Sequence, residues 1–248
     1  MSLTADTRLA NPSPPGTLKA SLPVWGLLGH SLLVAIGQIT IVPFPWTATL
    51  FYEFMCEHVA LPDGRRLKFT GRGGDIWYVF MAIPLMFWAI EAASLVAMGR
   101  YPSAVAFASS SDAHIINVLS LAANVVLWVF SLVILRWVVE HVTSEDGTLS
   151  LGFDGGIAAF VGWNILFIVS FITIVGWAWV MKGMLRWICR HVTGSLAFDF
   201  LGGGGAILWR TLVLWLTCLL ILPIPWMIRW YTNWLLSQIG VMPPAART

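Results

Sequence analysis

The chain has 248 residues, 58% of them hydrophobic and 10% charged, with a formal net charge of +2. Soluble domains carry about 25% charged residues, so a mean hydropathy of +0.80 leaves too little polar surface to face water on every side. No basic stripe with interleaved aromatics points to nucleic acid, and Cys56, Cys189 and Cys218, far apart and without CxxC spacing, imply neither a disulfide framework nor a zinc site.

Residues 1–22 are polar, rich in Pro, Ser, Thr and Ala, and read as a flexible tail with no signal-peptide core. A single multi-pass membrane domain is expected over residues 23–240, and a loose tail over 241–248. The first apolar run goes from Pro23 to about Leu50 and is interrupted at Pro43 and Pro45. Each proline removes a backbone donor and clashes with the preceding turn, so the helix should kink or break there. The second run is Ile76 to Met98. The third is His114 to His141, with Ser109-Ser110-Ser111-Asp112 as the expected N-cap. The fourth, Ile157 to His191, is too long for one straight span. Gly176 is its expected bend, and Trp177 to His191 is expected to lie along the interface. The fifth, Gly205 to Ile239, is interrupted at Pro223 and Pro225. The fold class is therefore an all-α membrane protein of about five transmembrane helices. A simple alternation of five spans divides the 14 Lys and Arg evenly between the two sides, so it sets no orientation.

Internal repetition is the most informative signal. Phe54 to Trp77, Trp137 to Trp163 and Trp187 to Trp209 share one order of features. Each has an aromatic residue, His-Val four residues on, a Gly turn, a short alternating stretch, glycines, and a new apolar run. A degenerate fourth start is read at Arg229-Trp230. The repeated units are placed at about 30–77, 114–163, 164–209 and 210–240. His58, His141 and His191 should close helices by donating to free carbonyls. Asp63-Gly64, Asp146-Gly147 and Gly194 are turn positions that tolerate positive φ. Leu67-Lys68-Phe69, Leu149-Ser150-Leu151 and Leu196 to Phe200 alternate like short strands, making strand-like, Gly-rich connectors.

These words resemble the YjgN-like family of bacterial inner-membrane proteins, a domain of unknown function. The matching residues are Pro45-Trp46, Pro225-Trp226, Asp63-Gly64-Arg65-Arg66-Leu67-Lys68-Phe69-Thr70-Gly71 and the Gly-Gly pairs. The third unit has Gly176-Trp177 where a Pro-Trp step would stand, and the second lacks the step. The resemblance implies a multi-pass protein of the bacterial inner membrane and carries over no catalytic residue or ligand.

Glu91 is the one carboxylate inside an apolar span, and intramembrane charge points to function. It is either a proton or substrate site, or a boundary residue paired with Arg100. Gln38, Asn117, Asn124 and Asn164 either line a polar path or hydrogen-bond between helices. Trp137, His141, Trp187, His191 and His58 are expected as anchors of the repeat. A haem or zinc role for the histidines lacks any spacing signature, so no cofactor and no metal are expected. Arg65, Arg66, Lys68 and Arg72 form the strongest basic cluster and are candidates for lipid headgroups. Membrane lipids, and a protein partner or a second copy in the membrane, are the expected partners; nucleic acid is not. Three functions compete. The chain is an accessory or structural subunit of a larger membrane complex, a small transporter or channel built around Glu91, or, lacking a paired nucleophile and base, a lipid enzyme in last place.

Overall fold

The structure is a computed structural model that describes residues 16–219 and 223–243. Its helices and short strands fall into four successive units, each a leading strand, an ascending helix, a returning helix and a trailing strand. In the first, β1 (Gly16–Thr17) and β2 (Lys19–Ala20) precede α1 (Val24–Thr40) and α2 (Phe44–Glu57), and β3 (Val59–Ala60) follows. In the second, β4 (Leu67–Phe69) leads into α3 (Trp77–Met98). A short α4 (Ala104–Ala108) makes the turn, and α5 (Ser111–Glu140) returns to β5 (Val142–Ser144). The third runs β6 (Leu151–Phe153), α6 (Ile157–Ser170), a 3-10 turn, α7 (Trp177–Arg190) and β7 (Val192–Gly194). The fourth runs β8 (Ala197–Phe200), α8 (Gly204–Cys218), α9 (Ile224–Ser237) and β9 (Ile239–Met242).

The two strands of each unit pair with one another, antiparallel. Lys19 lies opposite Ala60, Leu67 opposite Ser144, Leu151 opposite Gly194 and Ala197 opposite Met242. Every helical hairpin therefore leaves one strand layer and returns to it. β1 adds to the far edge of β9, with Gly16 opposite Val241, and α1 packs on α9. The first unit thus meets the fourth and the ring closes. A strand pair of two to four residues is marginal alone; here the helix ends on either side hold it.

Local chemistry explains the hairpin turns. α1 ends at Ile41, whose φ of 67° is unusual for a β-branched residue. Pro43 and Pro45 then stand at the start of α2, where a missing N–H costs nothing. Ile174, with a φ of 63°, makes the same break before α7, and Gly176 takes the place of Pro43. This aligns Ile41-Val42-Pro43-Phe44-Pro45-Trp46 with Ile174-Val175-Gly176-Trp177-Ala178-Trp179, so Trp179 rather than Trp177 corresponds to Trp46. The fourth unit spells Ile221-Leu222-Pro223-Ile224-Pro225-Trp226; of these, residues 221–222 lie outside the described residues. Ser110 caps α5, its hydroxyl accepting from the N–H of Ala113 at 3.2 Å.

Three sequence readings need correction. The tail 1–22 is not loose throughout: residues 16–17 and 19–20 are strands, and Leu22 is fully buried because it docks against Phe54 and Leu27. Residues 1–15 and 244–248 lie outside the described residues. Second, the repeated word is the junction between two units, not one unit. A trailing strand and the next leading strand are neighbours in sequence but partners of different hairpins. The units therefore run about 19–60, 67–144, 151–194 and 197–242 rather than from 30–77 onward. Third, the fourth copy of the aromatic step is Trp234 with Gln238 at the helix end, not Trp230; Gln238 takes the C-cap position that the histidines hold in the other returning helices, but there the Ser237 hydroxyl donates to the Trp234 carbonyl, at 2.7 Å.

Buried side chains concentrate toward the strand layer. Leu132, Phe160, Ala178, Phe200 and Ile207 join the second, third and fourth units. Phe44, Phe69, Phe80 and Trp137 join the first and second. The outer helix faces are apolar and bare, with Trp25 of α1 71% and Leu121 of α5 65% exposed. α3 and α5, at 22 and 30 residues, are long and apolar enough to cross a membrane, and only 17% and 6% of their most apolar windows are buried.

Candidate functional site at the strand layer

Three of the four returning helices, α2, α5 and α7, end in the same construction. The Nδ1 atoms of His58, His141 and His191 lie 2.8 Å from the carbonyl oxygens of Phe54, Trp137 and Trp187, four residues earlier. A carbonyl only accepts, so Nδ1 carries the proton in all three, and each ring satisfies a carbonyl that the helix end leaves free. The rings also pack. Trp137 meets Phe69 edge to face at 5.2 Å, and Trp187 meets Phe153 at 6.0 Å. Two residues beyond each strand phenylalanine stands a glycine. A Cβ on Gly71 would fall 2.6 Å from the Trp137 ring, and one on Gly155 would fall 2.4 Å from Phe153 and 2.8 Å from Trp187. These glycines are close-approach positions. Trp137, His141, Trp187, His191 and His58 are thus structural joints.

The residue before each of these tryptophans reaches the next unit around the ring. Arg136 donates to the carbonyl of Gly155 at 3.2 Å, and Arg186 to that of Phe200 at 3.3 Å. Asn233, before Trp234, accepts from the N–H of Leu22 at 3.3 Å and closes the ring. Asp199 adds ion pairs to Arg190 at 3.2 Å and Arg186 at 3.5 Å.

The basic cluster separates into three environments. Arg65 clasps two turns together. It meets Asp63 at 2.7 Å and Asp146 at 3.3 Å, and donates to Thr148 at 2.8 Å. Gly64 and Gly147, with φ of 94° and 69°, make those turns possible. The Ser144 hydroxyl, then the hydroxyl and N–H of Thr148, then Arg65 hold Asp146 well below the ordinary carboxylate range. The backbone N–H of Arg65, and then its guanidinium, lower Asp63. Arg66 and Lys68 instead line a cleft of about 700 Å³ together with Lys19, Glu57, His58 and Glu145. Arg72 is exposed away from that cleft. Lys19, Glu57 and Glu145 carry no sequence signal, because two units contribute the lining and no spacing along the chain unites it.

The polar residues of the helices are not gathered into a site. Glu91 is exposed on α3, Gln38 on α1, and Asn117 and Asn124 on α5. Arg100 pairs with Asp112 at 3.5 Å, not with Glu91. Asn124 and Asn164 donate to the carbonyls of Ser120 and Phe160 in their own helices, each at 2.8 Å. The groove between α3 and α5, about 310 Å³, is lined by apolar residues including Ala89, Ala93 and Ala123. Arg210 was not singled out by sequence. Its guanidinium sits 4.2 Å from the Trp234 ring and 5.0 Å from Trp209, a cation–π stack that fastens α8 to α9. Among the described residues no three of His, Cys, Asp and Glu converge as a metal site would require. Comparison with protein-family models, with curated proteins and with solved structures finds no match to this chain.

Proposed function

We propose that the chain is a multi-pass protein of the bacterial inner membrane and serves as an accessory, structural subunit of a larger membrane complex. α3 and α5 are its two full spans: at 1.5 Å per residue, 22 residues reach about 33 Å, enough for a hydrocarbon core of about 30 Å. The ascending helices of the other units have 17, 14 and 15 residues, and their hairpins enter and leave on one side. The sequence reading of about five spans becomes two spans and three re-entrant hairpins. This arrangement also breaks the tie in charge. Lys19, Arg65, Arg66, Lys68, Arg72, Arg136, Arg186 and Arg190 gather at the strand layer, while Arg100 stands at the opposite end of the α3–α5 hairpin. The positive-inside rule then puts the strand layer in the cytoplasm.

The observation that carries the subunit role is Glu91. It is exposed on an apolar helix 14 residues from the start at Trp77, about 21 Å along its axis. A carboxylate facing lipid at that depth costs several kcal/mol, so a neighbouring subunit that offers a donor there is the natural occupant. A transport path around Glu91 has less support, since the adjoining α3–α5 groove is apolar. Extraction of the native assembly in mild detergent, followed by its mass and subunit composition, tests this. The wild-type chain is expected in a complex with other subunits, and Glu91→Leu is expected to elute free of them. A lone wild-type monomer would sink the proposal.

A further inference from the structure

The cleft between the first two units has a charge pattern that selects a ligand class. Lys19 and Arg66 both lie opposite Ala60, one in the β2–β3 ladder and one through the bridge to residue 66. Residues directly opposite across paired strands share a sheet face. Two cations thus flank one small methyl group, with their backbones two strand spacings, about 9.5 Å, apart. Lys68, two residues beyond Arg66, shares that face by the period of a strand. Glu57 and Glu145 line the same cleft. Among the described residues no ion pair joins any of these five side chains to another or to any other group. Arg65, next in sequence, is by contrast fully committed to Asp63 and Asp146.

Three cations and two carboxylates around one opening suit neither a simple anion nor a simple cation. A bare phosphate would lie beside two unpaired carboxylates. A quaternary ammonium has no N–H to give them. A phosphate joined to a primary ammonium answers both halves, with its oxygens accepting from Lys19, Arg66 and Lys68 and its N–H groups donating to Glu57 and Glu145. We propose that this cleft binds a phospho-ammonium zwitterion, the chemistry of a phosphoethanolamine group, whether on a lipid or free.

The test uses the purified full-length protein in mild detergent and native mass spectrometry with phosphatidylethanolamine, phosphatidylglycerol and phosphatidylcholine. The ethanolamine lipid is expected to be retained about tenfold better than either of the others. Arg66→Ala with Lys68→Ala should lose that retention, while Arg72→Ala, outside the cleft, should keep it. Lys68 is exposed, so Lys68→Ala alone carries the test if the double variant misfolds. Glu57→Gln with Glu145→Gln should turn the preference toward the glycerol lipid. Displacement of the lipid by soluble glycerophosphoethanolamine would assign the site to the free group. Retention that the soluble compound does not disturb would assign it to the lipid. Equal retention of the three lipids, or unchanged binding in the Arg66 and Lys68 variants, would overturn the proposal.

Discussion

The second and third units are nearly superimposable in chemistry at the strand layer and unlike at the far end of their hairpins. At the base, Phe69, Gly71, Trp137 and His141 find their counterparts in Phe153, Gly155, Trp187 and His191, with the same ring contacts and the same 2.8 Å helix closure. At the tip, one hairpin turns through the 3-10 segment Phe171–Thr173 and Ile174, and the other continues through α4 to helices of 22 and 30 residues. The base is constrained by packing: an aromatic ring, a strand and a glycine must occupy one small volume. The tip is constrained mainly by what surrounds the protein, so its length and polar residues can differ from unit to unit.

The comparison is easiest to break with Trp137. It is 6% exposed and packs on Phe69 and Phe80, so Trp137→Ala should destabilise the protein by about 3–5 kcal/mol. At the tip, Leu121 is 65% exposed, and Leu121→Ala should stay within about 0.5 kcal/mol for the isolated chain in detergent. Equal losses in a denaturant titration followed by tryptophan emission would mean that base and tip are packed alike. A neighbouring pair of glycines sharpens the contrast. Gly155→Ala drives a methyl group into Phe153 and Trp187 and should cost about 1–3 kcal/mol. Gly156 has open space and a φ of −78°, so Gly156→Ala should be close to neutral. His141→Ala removes one helix-closing hydrogen bond and should cost about 1 kcal/mol in the same titration.

The smallest effect concerns the Arg65 clasp. Asp63 and Asp146 both have folded-state pKa values below their usual one of 3.8. Their contribution is therefore present above that value and is lost as pH falls below it toward the folded pKa values. Melting temperature should drop on acidification below about pH 4, and Asp146→Asn should flatten that part of the profile. An unchanged acid limb in Asp146→Asn would remove the clasp from the account of the strand layer.

Much of the base is legible in the sequence because each of its parts has a local cause. A histidine four residues after an aromatic closes a helix, Asp-Gly marks a turn, and paired prolines stop one helix and start another. Those causes act within a few residues, so Gly64, Gly147 and Gly194 could be named as turn positions and prove to have positive φ. The phase of the repeat was not legible, because the recurring word straddles two hairpins and only strand pairing shows which strand belongs to which. Trp234 and Gln238 were missed as the fourth copy because Gln stands where the other units have His.

The sequence by itself determined an apolar, helical, internally repeated chain, along with its helix ends and turns, since hydropathy, capping and turn chemistry are properties of neighbouring residues. Only the tertiary structure decided that the hairpins return to one layer, that β1 closes the ring on β9, and that Lys19, Arg66, Lys68, Glu57 and Glu145 share a cleft. Those facts depend on contacts between residues as much as 225 positions apart, Gly16 with Val241. No periodicity encodes them; backbone hydrogen bonding across strand edges and the fit of rings against glycines do.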